Sequence, residues 1–99
     1  MDKDTIIQRL RENKEALKEA GLEHLYLFGS VAPGDNHAES DIDFAGQYNQ
    51  QVMERPIRKA RVASRLADVL GTYEFDLADA MRLRPHVQKG FNEDKISIF

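Results

Sequence analysis

The chain has 99 residues, of which 41% are hydrophobic and 31% charged, and its formal net charge at pH 7 is −3. This length fits one domain spanning residues 1–99, and the composition excludes wholesale disorder. The negative net charge gives no general attraction for polyanions, so nucleic acid is not the expected partner. The absence of cysteine excludes disulfides and thiolate metal sites and is typical of a reducing compartment.

The sequence shows no targeting or membrane signal. Its first residues are charged where a signal peptide would need an apolar core, and no apolar run approaches membrane-spanning length. We therefore expect a soluble cytoplasmic protein without membrane contact. Whether it forms a homo-oligomer has no readable determinant.

The first half of the chain predicts one helix and two strands. Apolar residues recur at helical spacing over Thr5–Ala20, and Gly21 is placed to stop the helix. His24–Phe28 is aromatic and apolar, which predicts a mostly buried strand. Ser30–Ser40 is turn-rich, with room for one helical turn at its start. Asp41–Ala45 then resumes as a short strand.

A long helix dominates the second half. Gln47–Gln51 is polar and predicts a loop, after which Met53–Leu70 shows a helical pattern closed by Gly71. Because the pattern contains Pro56, we expect the regular helix to begin there.

The remaining segments complete an alternation of helices and strands. Tyr73–Leu77 predicts a strand with one acidic face, on which Asp76 lies. Arg84–Lys89 predicts a short helix with Pro85 at its first position, and an apolar end follows at Ile96–Phe99. The order predicts the α/β (α+β) class, a small mixed β-sheet covered by helices.

Two aspartates on the second strand indicate a metal site. Because side chains alternate along a strand, Asp41 and Asp43 point to one face while Ile42 points to the core. Neighbouring carboxylates repel each other unless they share a cation. Magnesium is the natural candidate, since it binds oxygen ligands and is usually held by one or two carboxylates plus substrate phosphates.

The turn before these aspartates is suited to binding phosphate. Gly29 allows a sharp turn after a strand, so that Ser30 and its neighbours can aim N–H groups at an anion. Phosphoryl chemistry at two metal ions also needs a third carboxylate, which Asp76 can provide. Glu74 and Asp79 stay open as alternatives to it.

At this point the residues resemble a known family. Gly29–Gly34 followed by Ser40–Asp43 is similar to the signature of the DNA polymerase beta-type nucleotidyltransferase superfamily, and its minimal nucleotidyltransferase (MNT, or MntA antitoxin-like) branch is the best match. The likeness continues through Leu66–Gly71 and Phe75–Leu77, where that branch places its third metal-binding aspartate. It also includes the tail from Leu83 to Phe99, and so spans nearly the whole chain.

The resemblance implies a fold, a reaction and a partner. It implies the polymerase beta-like fold, with Ser30 on a triphosphate, Asp41 and Asp43 on two magnesium ions, and Asp76 on the catalytic metal near the acceptor. The implied reaction moves a nucleoside monophosphate, AMP from ATP or from another nucleoside triphosphate, to a protein hydroxyl. The implied partner is a HEPN-domain toxin, which this chain would neutralise as antitoxin.

Two departures from the family pattern keep other functions open. Many relatives carry arginine where this chain has Pro33, and the strand after Asp43 is cut short by Ala45-Gly46. Both favour a second hypothesis, a catalytically weak or inactive binding module that neutralises its partner by contact. A third hypothesis is a small-molecule nucleotidyltransferase of the antibiotic-modifying type, for which the chain is short.

Three arginines share one side of the long helix. At 100° per residue, Arg58, Arg61 and Arg65 fall within about 60° of one another. A solvated face is the usual reason for such a pattern. A surface for an acidic partner or for substrate phosphates is the alternative.

Other side chains are assigned structural roles. Strand aromatics mostly pack, so four are expected in the core: Tyr26, Phe28, Tyr73 and Phe75. The histidines lack metal-ligand spacing and are expected to have structural or surface roles: His24, His37 and His86.

Overall fold

The strands of this computed structural model, which describes residues 2–28 and 42–99, form one mixed sheet. They are β1 (Leu22–Phe28), β2 (Ile42–Tyr48), β3 (Phe75–Asp79) and β4 (Ile96–Ser97), in the order β3-β2-β1-β4. β1 is antiparallel to both β2 and β4, whereas β2 and β3 are parallel. The predicted small mixed sheet is confirmed.

Helices cover both faces of this sheet. They are α1 (Lys3–Glu12), α2 (Lys14–Ala20), α3 (Gln50–Glu54), α4 (Arg58–Leu70) and α5 (Pro85–Asp94). The apolar sides of α1, α2 and α4 join one hydrophobic cluster with β1 and β2, while α5 packs on the opposite face of β1. In the described ranges, no helix has the length and apolar content needed to cross a membrane.

The main core lies between the two central strands and the helices. Leu25, Leu27 and Phe44 from the strands and Val62 and Leu66 from α4 are all 0% exposed. Since these positions alternate along β1 and β2, the other side chains of both strands point to the face of α5.

The N-terminal helix is divided, whereas the sequence predicted one helix over residues 5–20. α1 ends at Glu12 and α2 begins at Lys14, with Asn13 between them at φ −107° and ψ 18°. The Asn13 side-chain amide donates to the carbonyl of Arg9 at 2.8 Å, a local bond that competes with regular helix geometry. Gly21 ends α2 at φ +129°, as predicted.

The second strand is longer than predicted. β2 continues through Gly46 to Tyr48, so the predicted strand end at Ala45 and the predicted loop at Gln47–Gln51 are wrong. A Cβ on Gly46 would lie 2.6 Å from the Leu22 Cδ2 atom and 3.4 Å from the Leu77 Cδ1 atom. This glycine therefore makes room for side chains of both neighbouring strands, and the strand does not end there.

The long helical pattern contains two helices. α3 is capped by the Asn49 side chain, which accepts from the Val52 N–H at 3.0 Å, and it ends at Glu54. Pro56 lies between α3 and α4 instead of starting the regular helix. Gly71 closes α4 in the left-handed region at φ +77°, as predicted.

The aromatic residues are distributed differently from the prediction. Tyr73 precedes β3 and is 72% exposed, so its predicted place in the core is wrong. Phe75 is partly buried against the core. Tyr26 and Phe28 are half-buried on the face of α5, where Phe91 meets both rings edge-on at centroid distances of 5.4 Å.

The C-terminal helix is longer than predicted, and an edge strand follows it. α5 has Pro85 at its first position, as predicted, but continues past Gly90 to Asp94. The apolar end then forms β4, in which Ser97 pairs with Tyr26. Arg11 of α1 holds the C-terminal segment in place by donating hydrogen bonds to the Ser97 and Ile98 carbonyls, both at 3.0 Å.

Candidate active site

The register of the sheet places Asp43 and Asp76 side by side. In the parallel pairing of β2 with β3, Asp43 lies opposite Asp76 and Ile42 opposite Phe75. Neighbouring strands are about 4.8 Å apart, and paired residues point to the same face. The two carboxylates therefore share one patch of the sheet surface.

This acidic pair lies on the face opposite the main core. Phe44 is buried under α4, so Asp43 beside it points the other way, as does Phe28, its partner in β1. Asp76, Asp43 and Phe28 form a row across three strands. Asp76 is exposed, Asp43 is half-buried, and the Phe28–Phe91 ring contact borders the row on the side of β1.

The position of Phe28 was not anticipated from the sequence. It was expected in the core, yet it lies beside Asp43 on the other face. Its spacing relative to Leu25 and Leu27 was the available signal, because Leu27 is buried and adjacent residues of a strand face opposite sides.

Three of the predicted site residues lie outside the described residues: Gly29, Ser30 and Asp41. Pro33 and His37 lie outside them as well. Phe28 ends β1 and pairs with Asp43 near the start of β2, so the chain leaves and re-enters the sheet next to the acidic pair. The predicted roles of Gly29 and Ser30 in binding phosphate and of Asp41 in binding metal stay predictions.

The chemistry of the pair suits a hard divalent cation. Like charges directly opposite each other on a sheet are unfavourable unless a cation is shared. Asp43 and Asp76 offer carboxylate oxygens, which are the ligands that magnesium prefers. Residues 2–28 and 42–99 contain no cluster of three or more potential metal-binding side chains.

The rival acidic residues occupy different positions. Asp79 follows the opposite phase of β3: its Oδ2 atom lies 3.6 Å from the Lys59 Nζ atom of α4, and its Oδ1 atom accepts from the Met81 N–H at 2.9 Å. Glu74 precedes β3, and none of the described residues of β2 is paired with it. Of these acids, Asp76 is the one that the described register pairs with Asp43.

Asp79 belongs to a structural cluster at the far end of β2 and β3. Tyr48 is buried there, and the Lys59 Nζ atom lies 5.2 Å from the centre of its ring. Burial raises the pKa of Tyr48 above its ordinary value of 10.0, and the negative charge of Asp79 raises it further. The cluster thus joins α4 to the sheet.

The raised pKa predicts a pH-dependent stability. Neutral Tyr48 stabilises the fold fully below its unfolded pKa of 10.0, and this contribution is lost as pH rises through the higher folded pKa. Tyr48→Phe should therefore reduce the fall in unfolding free energy above about pH 10. Urea unfolding of both proteins at about pH 8 and about pH 11 measures the difference; equal losses in both would contradict it.

A surface cleft elsewhere is separate from the acidic pair. It has a volume of about 630 Å³ and is lined by residues of α1 and β4, including Ile7, Arg11 and Ile96. Ile96 pairs with Leu27, so the cleft opens at the edge of the face that α1, α2 and α4 cover. Asp43 and Asp76 lie on the other face, and the cleft therefore contributes nothing to their site.

Comparisons with known proteins agree on one family. The model of the family described as "Polymerase beta, Nucleotidyltransferase" matches residues 5–99. A solved structure described as a minimal nucleotidyltransferase is 25% identical, covers 97% of this chain and 95% of its own, and has a TM-score of 0.70. No curated protein matches the chain.

Two further solved structures come from toxin–antitoxin complexes. One, a toxin–antitoxin with AMP-PNP, is 25% identical and covers 100% of this chain and 73% of its own, with a TM-score of 0.60. The other, tri-AMPylated Shewanella oneidensis HEPN toxin in complex with MNT antitoxin, is 24% identical and covers 93% and 71%, with a TM-score of 0.57. The second likeness bears on the fold alone.

Proposed function

We propose that this chain, which belongs to the polymerase beta nucleotidyltransferase family, transfers AMP from ATP to a hydroxyl of a HEPN-domain partner and is the antitoxin of that pair. The observation that carries the proposal is the pairing of Asp43 with Asp76 on the face of the sheet opposite the main core. The likeness to a toxin–antitoxin with AMP-PNP supports an adenine nucleotide and a toxin partner. The HEPN acceptor is suggested by the Shewanella oneidensis complex, which shares the fold.

The reaction is a displacement at the α-phosphorus of ATP. The acceptor oxygen forms a bond to that phosphorus, the bond to the bridging oxygen breaks, pyrophosphate leaves, and the hydroxyl proton is released. Asp43 and Asp76, with Asp41, would hold magnesium, which when bound supplies a Lewis acid for the charge of the triphosphate. The backbone at Gly29-Ser30 would donate N–H groups to the phosphates.

The aromatic border of the site has a separate role in this proposal. Phe28 lies beside Asp43, and Phe91 packs against it. These rings would keep water from one side of the reacting groups, while the exposed side at Asp76 would admit the acceptor hydroxyl. A protein acceptor fits this arrangement because Asp76 lies on an edge strand that a second protein can approach.

Incubation with α-labelled ATP, magnesium and a candidate HEPN-domain protein tests the proposal. We expect label on the HEPN protein, no label after chelation of the metal, and background label with Asp43→Asn. Equal labelling of the HEPN protein by the wild type and by Asp43→Asn would argue against a reaction at this site. The absence of label on either protein would overturn the transfer itself.

The structure bears on the binding-module hypothesis. One of the two features that favoured it, the shortened strand, is absent because β2 continues through Gly46 to Tyr48. The other, Pro33, lies outside the described residues. A catalytic antitoxin should lose neutralisation with Asp43→Asn while the complex still forms, whereas a binding module should keep it.

A further inference from the structure

The beginning of α4 departs from the charge pattern that stabilises a helix. Arg58 and Lys59 lie in its first turn and Arg61 follows, and this turn contains no acidic residue. The N-cap residue, Ile57, makes no side-chain capping bond. Because cations near a helix N-terminus oppose the macrodipole, this pattern does not serve the stability of the helix. Such local departures are expected where a surface has another role.

One side of these turns combines positive charge with exposed apolar surface. At 100° per residue, Ile57, Arg61 and Arg65 follow each other in steps of about 40°, and we call them the α4 surface. Ile57 and Arg61 lie about 180° and about 140° around the helix from the buried Leu66. Arg65 lies about 100° from it, at the margin of the exposed side. Ile57 is 84% exposed, which is unusual for a large aliphatic side chain.

The charges of this surface are not used within the described chain. Lys59 pairs with Asp79 at 3.6 Å, and Arg58 donates to the Gln51 side chain at 3.2 Å. Arg61 and Arg65 make no hydrogen bond or ion pair with any residue in 2–28 or 42–99, and both are exposed. Two guanidinium groups beside an apolar side chain are therefore available to a partner.

The location of the α4 surface excludes a role in holding the substrate phosphates. The Lys59–Asp79 contact places the start of α4 at the end of β3, whereas Asp76 lies about 10 Å earlier on that strand and on the opposite face. The body of the helix, about 10 Å across, also separates the α4 surface from the sheet. A ligand that reaches this surface is therefore distinct from a nucleotide at Asp43 and Asp76.

We propose that the α4 surface docks an acidic face of the partner protein, with an apolar partner side chain on Ile57 and partner carboxylates opposite Arg61 and Arg65. This rests on the proposed function, which gives the chain a protein partner. Charge complementarity supports it, since these cations have no partner among the described residues of a chain whose net charge is −3. Nucleic acid fits less well, because Ile57 offers nothing to phosphate and the overall charge repels a polyanion.

Binding of the full chain to the HEPN-domain protein that it labels in the transfer assay tests this surface. We expect the double variant Arg61→Glu/Arg65→Glu to weaken binding at least about tenfold, and Ile57→Ser to weaken it as well. A matched control, Arg9→Glu/Lys89→Glu, changes the net charge equally at exposed positions on α1 and α5 and should bind like the wild type. Thermal unfolding of each variant shows that the fold is kept.

A second readout separates docking from chemistry. In the AMP-transfer assay, the α4 variants should raise the HEPN concentration needed for half-maximal rate by a similar factor, while the rate at saturation stays within about twofold. Asp43→Asn should do the reverse, with unchanged binding and lost transfer.

Each contrary outcome identifies what has failed. Equal binding by the wild type and the α4 variants would overturn the docking surface and leave the proposed function standing. If the wild type binds no HEPN protein, the proposed function fails and this inference fails with it. Loss of oligonucleotide binding in the double variant, or loss of self-association measured by sedimentation, would assign the surface to nucleic acid or to a second copy instead.

Discussion

Replacing Asp76 with asparagine is expected to lower the rate of AMP transfer by roughly three orders of magnitude, with little change in stability. The expected loss corresponds to several kcal/mol of barrier, the scale of charge stabilisation that a metal ligand supports. Stability should hold because Asp76 is exposed and its removal relieves repulsion with Asp43. Initial rates with labelled ATP at saturating HEPN protein, together with urea unfolding, measure both effects.

Asp79→Asn is the matched control for this prediction. It makes the same chemical change three residues later on β3, at a side chain that pairs with Lys59 on the opposite face. We expect it to affect stability more than transfer, since the asparagine can still accept from the Met81 N–H but loses the ion pair. Glu74→Gln should be near neutral in both assays. A loss of transfer in either control that equals the loss in Asp76→Asn would refute the assignment.

Replacing Phe44 with alanine is expected to destabilise the fold by about 3–5 kcal/mol. Phe44 is 0% exposed at the centre of β2, and its ring meets that of Phe75 edge-on at 6.0 Å. Native proteins have a total stability of about 5–15 kcal/mol, so this single substitution should remove a large share of it. Urea unfolding followed by circular dichroism measures the change.

Tyr73→Ala provides the comparison for the loss of a large aromatic side chain. Tyr73 is 72% exposed, so its removal should change the free energy of unfolding by no more than about 0.5 kcal/mol. A large loss in this variant, or a small one in Phe44→Ala, would contradict the core described for this sheet. The pair therefore tests the correction of Tyr73 from a core residue to a surface residue.

The errors of the sequence-based prediction have a common cause. From the local sequence alone, Gly46 is expected to weaken or end a strand. In the structure β2 is paired on both sides, and the glycine accommodates the side chains of Leu22 and Leu77. Asn13 divides a segment whose apolar spacing is continuous, because its side chain bonds to the carbonyl of Arg9. Periodicity detects which residues are buried and does not detect such single contacts.

The candidate site was predictable in part. The alternation of a strand assigned Asp43 and Ile42 to opposite faces, and the structure agrees. The sequence favoured Asp76 and left Glu74 and Asp79 open. The register of β3 against β2, which depends on residues far apart in the chain, pairs Asp76 with Asp43. For Asp41, Gly29 and Ser30 the sequence remains the basis of the assignment.

The candidate site around Asp43 and Asp76 thus depends both on local sequence and on tertiary packing. Local sequence was sufficient for the kinds of element, the helix stop at Gly71 and the family signature, because these depend on neighbouring residues. Tertiary packing was needed to bring Asp43 beside Asp76 and to place Phe28 next to them. It also leaves Arg61 and Arg65 without partners in residues 2–28 and 42–99. The physical reason is that strand register and helix docking are set by the burial of side chains such as Phe44 and Leu66, which are separated along the chain.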